Sequence, residues 1–267
     1  MTNVSRGTEV FAQRLGAVEI GGFSYSVIDV KHALEKRVVP ALRDDQGMSV
    51  VEQMLGSLAT TQFATDQLRA ALTESREFPD WQVGEVLAEV YLEDHHSCDF
   101  PWPMSRDARN PRGSLPGTDS VGFQKHGKSY RMAFGETKTS SDAKSPPGVW
   151  NGRSGLKKQL EGLRDSPETK NHIVVRYLGC RANGAPWQER YKAAASRYLA
   201  NPSDVALFGV LVRDTKPSEN DVLARAKNLA KGCPTATAIS IVVIYLPDKH
   251  ITKLPGQVAD IERRNTK

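Results

Sequence analysis

Two runs near the end of the chain, residues 205–212 and 238–246, are apolar almost without a break. A strand with one wet face alternates apolar and polar residues; a strand without alternation is buried on both faces, as in a parallel sheet covered by helices. Between the two runs, residues 220–231 space their apolar side chains at helical intervals. Strand, helix, strand in that order is a crossover unit, and it points to a layered α/β fold.

Working outward, residues 156–163 and 188–199 predict helices, and the β-branched run 173–178 predicts a short strand. Residues 118–124 and 129–137 predict two strands joined by 125–128. Residues 81–92 predict an amphipathic helix with Val83, Val86, Leu87, Val90 and Tyr91 on its apolar face. A polar loop over 93–116 follows it. The order from residue 81 is therefore α-β-β-α-β-α-β-α-β. Ahead of it, residues 30–42, 49–60 and 65–72 read as helices punctuated by Gly47, Thr61 and Pro79, and 16–29 has room for a short strand. The expected division is a mainly helical region, 1–79, of regulatory or partner-binding kind, followed by an α/β domain, 80–267.

Charge is distributed unevenly over these parts. Residues 1–118 hold 11 Lys and Arg against 17 Asp and Glu, whereas 119–267 hold 25 against 14. An acidic front and a basic rear suit a chain whose second part meets a polyanion. No apolar run approaches the roughly 20 residues of a membrane span. Residues 1–14 lack the apolar core of a signal peptide. Cys98, Cys180 and Cys233 are widely spaced and odd in number, which suggests no disulfide framework and a reducing, cytoplasmic setting.

Three motif matches fail on context. Residues Gly122 to Ser129 satisfy the phosphate-loop spacing G-x-x-x-x-G-K-S. That loop works only where a helix begins at its Lys-Ser end and points its amides at the phosphates. Here Tyr130-Arg131-Met132-Ala133-Phe134 follows, which is strand chemistry, so a hairpin turn is expected. A nucleotide-binding protein using 122–129, with Asp214 as its magnesium carboxylate, is the distant alternative. Ser154 and Lys157 match S-x-x-K, but no K-T-G strand follows them. His95, His96 and Cys98 have no second ligand pair at zinc spacing, and a polar loop is the expected setting.

One constellation fits its context. Asp119 opens the first of the two predicted strands, and Glu136 and Lys138 close the second. Residues i and i+2 of a strand share a face, so Glu136 and Lys138 project together. Hairpin pairing sets Asp119 opposite them. Two carboxylates and a lysine in one place are costly unless a divalent cation joins them. Asp119, Glu136 and a backbone carbonyl, that of Thr137, are the hard oxygen donors that suit Mg2+, with Mn2+ as a substitute. Lys138 would then hold the attacking water and stabilise charge on a phosphate. Lys144, Arg153, Lys157 and Lys158 are the nearby cations expected to hold a DNA backbone, with Lys125 and Lys128 as weaker candidates. Trp150, in the loop 140–152, is expected either to close over a substrate or to sit in a plain surface connection.

Helix, Asp strand, Glu-x-Lys strand and a second helix resemble the core of the PD-(D/E)xK nuclease superfamily, with Gly-Thr-Asp119 in place of Pro-Asp. That resemblance implies a restriction-endonuclease-like mixed sheet flanked by helices and a deoxyribonuclease activity. It also implies a further carboxylate from the first helix, Glu85 or Glu89, and a polar residue near the phosphate or water, Gln159. The strings around Asp119 (Leu115 to Phe123) and Glu136 (Phe134 to Ser141) are similar to the HamA family, the nuclease subunits of Hachiman anti-phage defence systems. This closer resemblance implies cleavage with little sequence preference and a heterodimeric partner, a superfamily 2 helicase of the HamB kind, that restrains the nuclease. A restriction or DNA-repair endonuclease of the same fold is the near alternative, and a partner-binding protein with a dead nuclease core the more remote one.

Overall fold

The computed structural model describes residues 3–72, 77–103, 106, 118–166 and 171–265. Of the expected loop 93–116, residues 104, 105 and 107–116 lie outside the described residues, as does Gly117, while its first residues end α5 and form a short strand. Seven strands form one mixed sheet. The chain opens with β1 (Thr8–Leu15) and β2 (Val18–Ser24), an antiparallel pair. A nearly continuous helical rod follows: α1 (Val27–Ala33), a π-helical turn (Leu34–Val38) and α2 (Val39–Arg43). Ser26 starts it by capping the Asp29 amide, while the Asp29 carboxylate returns a bond to the Ser26 amide. Helices α3 (Asp45–Gly56) and α4 (Gln62–Leu72) come next, then α5 (Asp80–His95).

Beyond α5 lie β3 (Cys98–Asp99), β4 (Ser120–His126) and β5 (Ser129–Ser140). Helices α6 (Leu156–Asp165), α7 (His172–Ala182) and α8 (Gln188–Ala200) precede β6 (Val205–Arg213). Helix α9 (Leu223–Ala230), β7 (Ala238–Tyr245) and α10 (Leu254–Asn265) complete the described chain. The strand order is β1-β2-β7-β6-β5-β4-β3. Strands β2, β7, β6 and β5 run parallel, and antiparallel strands flank them at both ends. As the unbroken apolar runs require, all nine residues of β6 are buried. One core, under α1, α2, α5 and α10, includes Phe23, Leu87, Tyr91, Ala133, Phe208 and Val242. The opposite core, under α6 to α9, includes Phe134, Trp150, Leu160, Tyr198, Leu207 and Ile241.

Several expectations are corrected. Residues 173–178 belong to α7. Its buried residues, Val175, Leu178 and Ala182, recur at helical spacing, while Ile173 is exposed; face periodicity outweighs β-branched composition. The stretch before residue 79 supplies two strands to the sheet instead of one isolated strand. Because β2 pairs with β7 over Val18–Ser24, the boundary at 79/80 does not divide the sheet. Residues 122–129 form the expected hairpin: His126 pairs with Ser129, and Gly127 takes a positive φ of 60° at the first turn position. A strand, not a helix, begins at Ser129, which removes the phosphate-loop reading. Asp214 is likewise committed to structure, since its buried carboxylate accepts the Ile251 amide at 3.0 Å.

Candidate active site

The site arises from a mismatch in strand length. Strand β4 starts at Ser120, paired with Gly135, whereas β5 runs on to Ser140 beside β6. Beyond Gly135 the β4 side of β5 has no strand partner among the described residues, and Glu136, Thr137 and Lys138 lie on that stretch. Asp119, the residue just before β4, fills part of that gap: its Oδ2 accepts the Thr137 amide at 2.8 Å. A side chain thus satisfies an N–H that a longer β4 would have satisfied.

Alternation along β5 sorts the side chains. Ala133 and Thr139 face α5, whereas Met132 and Phe134 face the opposite core. Glu136 and Lys138 share parity with Phe134 and project away from α5. Glu136 is 3% exposed, and its carboxyl hydrogen-bonds with that of Asp119. Burial raises the Asp119 carboxyl above its ordinary value, against the lowering effect of the Thr137 amide, Lys138 and Glu136. The predicted trio is therefore assembled, with Lys138 partly buried in the field of Asp119.

Helix α5 adds the carboxylates expected of it, on two different errands. Glu85 is raised to about 8, first by burial and then by Asp119, with Lys138 pulling the other way. Glu89, one turn on, is also raised to about 8, by burial and by Glu93; its Oε2 accepts the Ser120 hydroxyl at 3.2 Å. Glu85 therefore sits in the field of Asp119 and Lys138, while Glu89 is tied to the residue beside Asp119.

Among the described residues, no group of three His, Cys, Asp or Glu side chains is arranged to hold a metal ion. The donor chemistry nonetheless fits a hard cation. Asp119 and Glu136 are two neighbouring oxygen donors, Glu85 is a third whose charge Asp119 opposes, and waters would complete the coordination of magnesium. Burial and like charge are the conditions that a divalent cation relieves.

The outer candidates are more dispersed. Lys144, Arg153 and Lys158 are exposed, and Lys157 pairs with Glu161 at 3.5 Å. Gln159 lies on α6, its Oε1 buried with no hydrogen-bond partner among the described residues. Lys125 and Lys128 are at the hairpin tip; Lys125 is six residues along β4 from Asp119, about 20 Å at strand rise. Trp150 is 1% exposed and packed into the core, so it is no lid. His95 ends α5 and His96 follows it in a bend, where it lies against the rings of Tyr91 and Phe208 and burial lowers it to about 4.

Two features escape the sequence reading. Ser120 holds Glu89, and nothing but its place beside Asp119 marks it. Arg213 is 1% exposed and pairs with the equally buried Asp221 at 3.1 Å; Tyr245 donates to the same carboxylate at 2.8 Å. Arg213 also donates to the backbone carbonyls of Asp142 and Lys144, and Ser145 donates to Asp221. The segment after β5 is thereby fastened to the ends of β6 and β7. A charge directly after an unbroken apolar strand was the available signal.

No protein-family model matches the chain, and no curated protein matches it. No helix among the described residues is long and apolar enough to cross a membrane. The chain is thus defined by its own geometry: an α/β protein with a seven-stranded mixed sheet flanked by helices, carrying a carboxylate–lysine cluster where one strand outruns its neighbour.

Proposed function

We propose that the chain is a metal-dependent deoxyribonuclease that hydrolyses phosphodiester bonds with little sequence preference. The observation that carries the reading is that Asp119, just before β4, is within reach of Glu136 and Lys138 on β5 and of Glu85 on α5. Asp119 and Glu136 would hold Mg2+, with the Thr137 carbonyl and Glu85, directly or through water, completing the set. Bound there, the ion supplies a more acidic water and a counter-charge for the phosphate. Asp119 is pre-positioned for this by the Thr137 amide, which fixes the carboxylate before any ligand arrives. Lys138 would donate to the attacking water and to the phosphate oxygens as negative charge builds on them. Glu136, buried in place, would keep its carboxylate aimed at the reacting phosphate. Lys144, Arg153 and Lys158 are exposed and would meet backbone phosphates, a contact that carries no sequence information.

Defence against phage and restraint by a helicase partner rest on the resemblance to the HamA family and on the acidic N-terminal part. The test is direct. Purified protein incubated with linear DNA and Mg2+ should cleave it, and chelation by EDTA should stop cleavage. Glu136→Ala or Lys138→Ala should each lower the rate by at least about 100-fold. A Glu136→Ala/Lys138→Ala protein that still cuts as fast as the unaltered one sinks the assignment. Co-purification of a helicase encoded beside the gene would support the defence role, and a methyltransferase there would favour restriction.

A further inference from the structure

Glycine in the middle of a helix needs a reason, because it costs roughly 1 kcal/mol relative to alanine. Gly84 lies within α5, is buried, and has no unusual backbone angle to explain it. Space explains it. A Cβ added there would lie 2.1 Å from Thr139 Oγ1, 3.3 Å from Thr139 Cβ and 3.5 Å from Thr139 Cγ2. The Thr139 hydroxyl is buried against the helix with no hydrogen-bond partner among the described residues. Side-chain rotation gives little relief, because threonine is branched at Cβ and that atom is itself already close.

The sequence neighbours of the two residues give this contact its meaning. Gly84 immediately precedes Glu85, and Thr139 immediately follows Lys138. This tight contact between α5 and β5 is thus one residue away from the site on both elements. We propose that Gly84 is a positioning residue: its contact with Thr139 sets the height of α5 over β5 and so sets the reach of Glu85 toward Asp119 and Lys138. This inference rests on the nuclease reading above and adds a determinant of its geometry. A methyl group at position 84 lifts the helix, and Glu85 retreats with it. A misplacement of about 1 Å in a positioning element is enough to cost about 100-fold in rate.

The experiment is a double-mutant cycle read by kinetics. Gly84→Ala should lower kcat for Mg2+-dependent DNA cleavage by about 100-fold and raise the Mg2+ concentration for half-maximal rate, with the KM for DNA unchanged. Alanine favours helix, so thermal unfolding should report a folded protein. Thr139→Ala alone should leave cleavage near the unaltered level. Combined with Gly84→Ala, it removes the clashing hydroxyl and should return kcat to within about threefold. A fully active Gly84→Ala protein overturns the proposal, and so does a double variant as impaired as Gly84→Ala. A loss confined to KM for DNA overturns it too, since it would place the effect at the DNA surface. If the unaltered protein cleaves nothing, the nuclease reading falls and takes this proposal with it. An active Gly84→Ala protein removes only the proposal.

Discussion

Helices α5 and α3–α4 are neighbours in the chain, yet they end in opposite environments. Seven residues of α5 are buried, from Val83 to Leu92. Neither α3 nor α4 buries a single described residue, and Met54, Leu58 and Phe63 are each about 70% exposed. Periodicity marks which face of a helix is apolar; it does not say what covers that face. The consequence is chemical as well as mechanical. Glu85 and Glu89 ride on a helix sunk into the sheet, and burial raises both to about 8. Glu52 and Asp66, on the exposed pair, stay in water.

Truncation should separate the two regions most sharply. Leu87→Ala on α5 removes a fully buried side chain and should cost about 2–5 kcal/mol in urea unfolding. A cost below about 1 kcal/mol would mean that α5 is not anchored as described. An intermediate effect comes from pH. A carboxyl raised in the folded state favours folding fully below its ordinary value near 4.5 and loses that contribution as pH climbs through about 8. Metal-free protein should therefore lose stability between those values. Glu89→Gln should remove part of the fall; a slope identical to that of the unaltered protein would contradict the burial of Glu89 on α5. The smallest effect belongs to Phe63→Ser, expected within about 0.5 kcal/mol of the unaltered protein because its ring is already in water. A larger loss would show that something covers the α3–α4 face in solution.

The elements most legible in the sequence were those whose cause is local. β6 and β7 announce themselves by unbroken apolar runs, and the hairpin around Gly127 by its turn chemistry. Asp119, Glu136 and Lys138 follow from two strands and a period of two. Helix α7 was misread because its β-branched residues outweighed a weak three-to-four spacing. The β1–β2 pair was half missed. Gly21 and Gly22 blur its alternation, and what stabilises β2 is β7, more than two hundred residues away. The trio itself was predictable, but not the bond from the Thr137 amide to Asp119 or the contact between Gly84 and Thr139. Both depend on where β4 stops and how closely α5 lies, which is three-dimensional information.

The pairing of β2 with β7 also sets a timetable. Ribosomes deliver β2 more than two hundred residues before β7, so the β1–β2 hairpin must wait for that whole stretch before it finds its place. Contacts so distant along the chain slow folding, because a large loop has to close before they repay its entropy. While it waits, the apolar edge of β2, with Val18, Ile20 and Phe23, stands open to other chains. The early strands are therefore open to pairing with other chains until β7 is made.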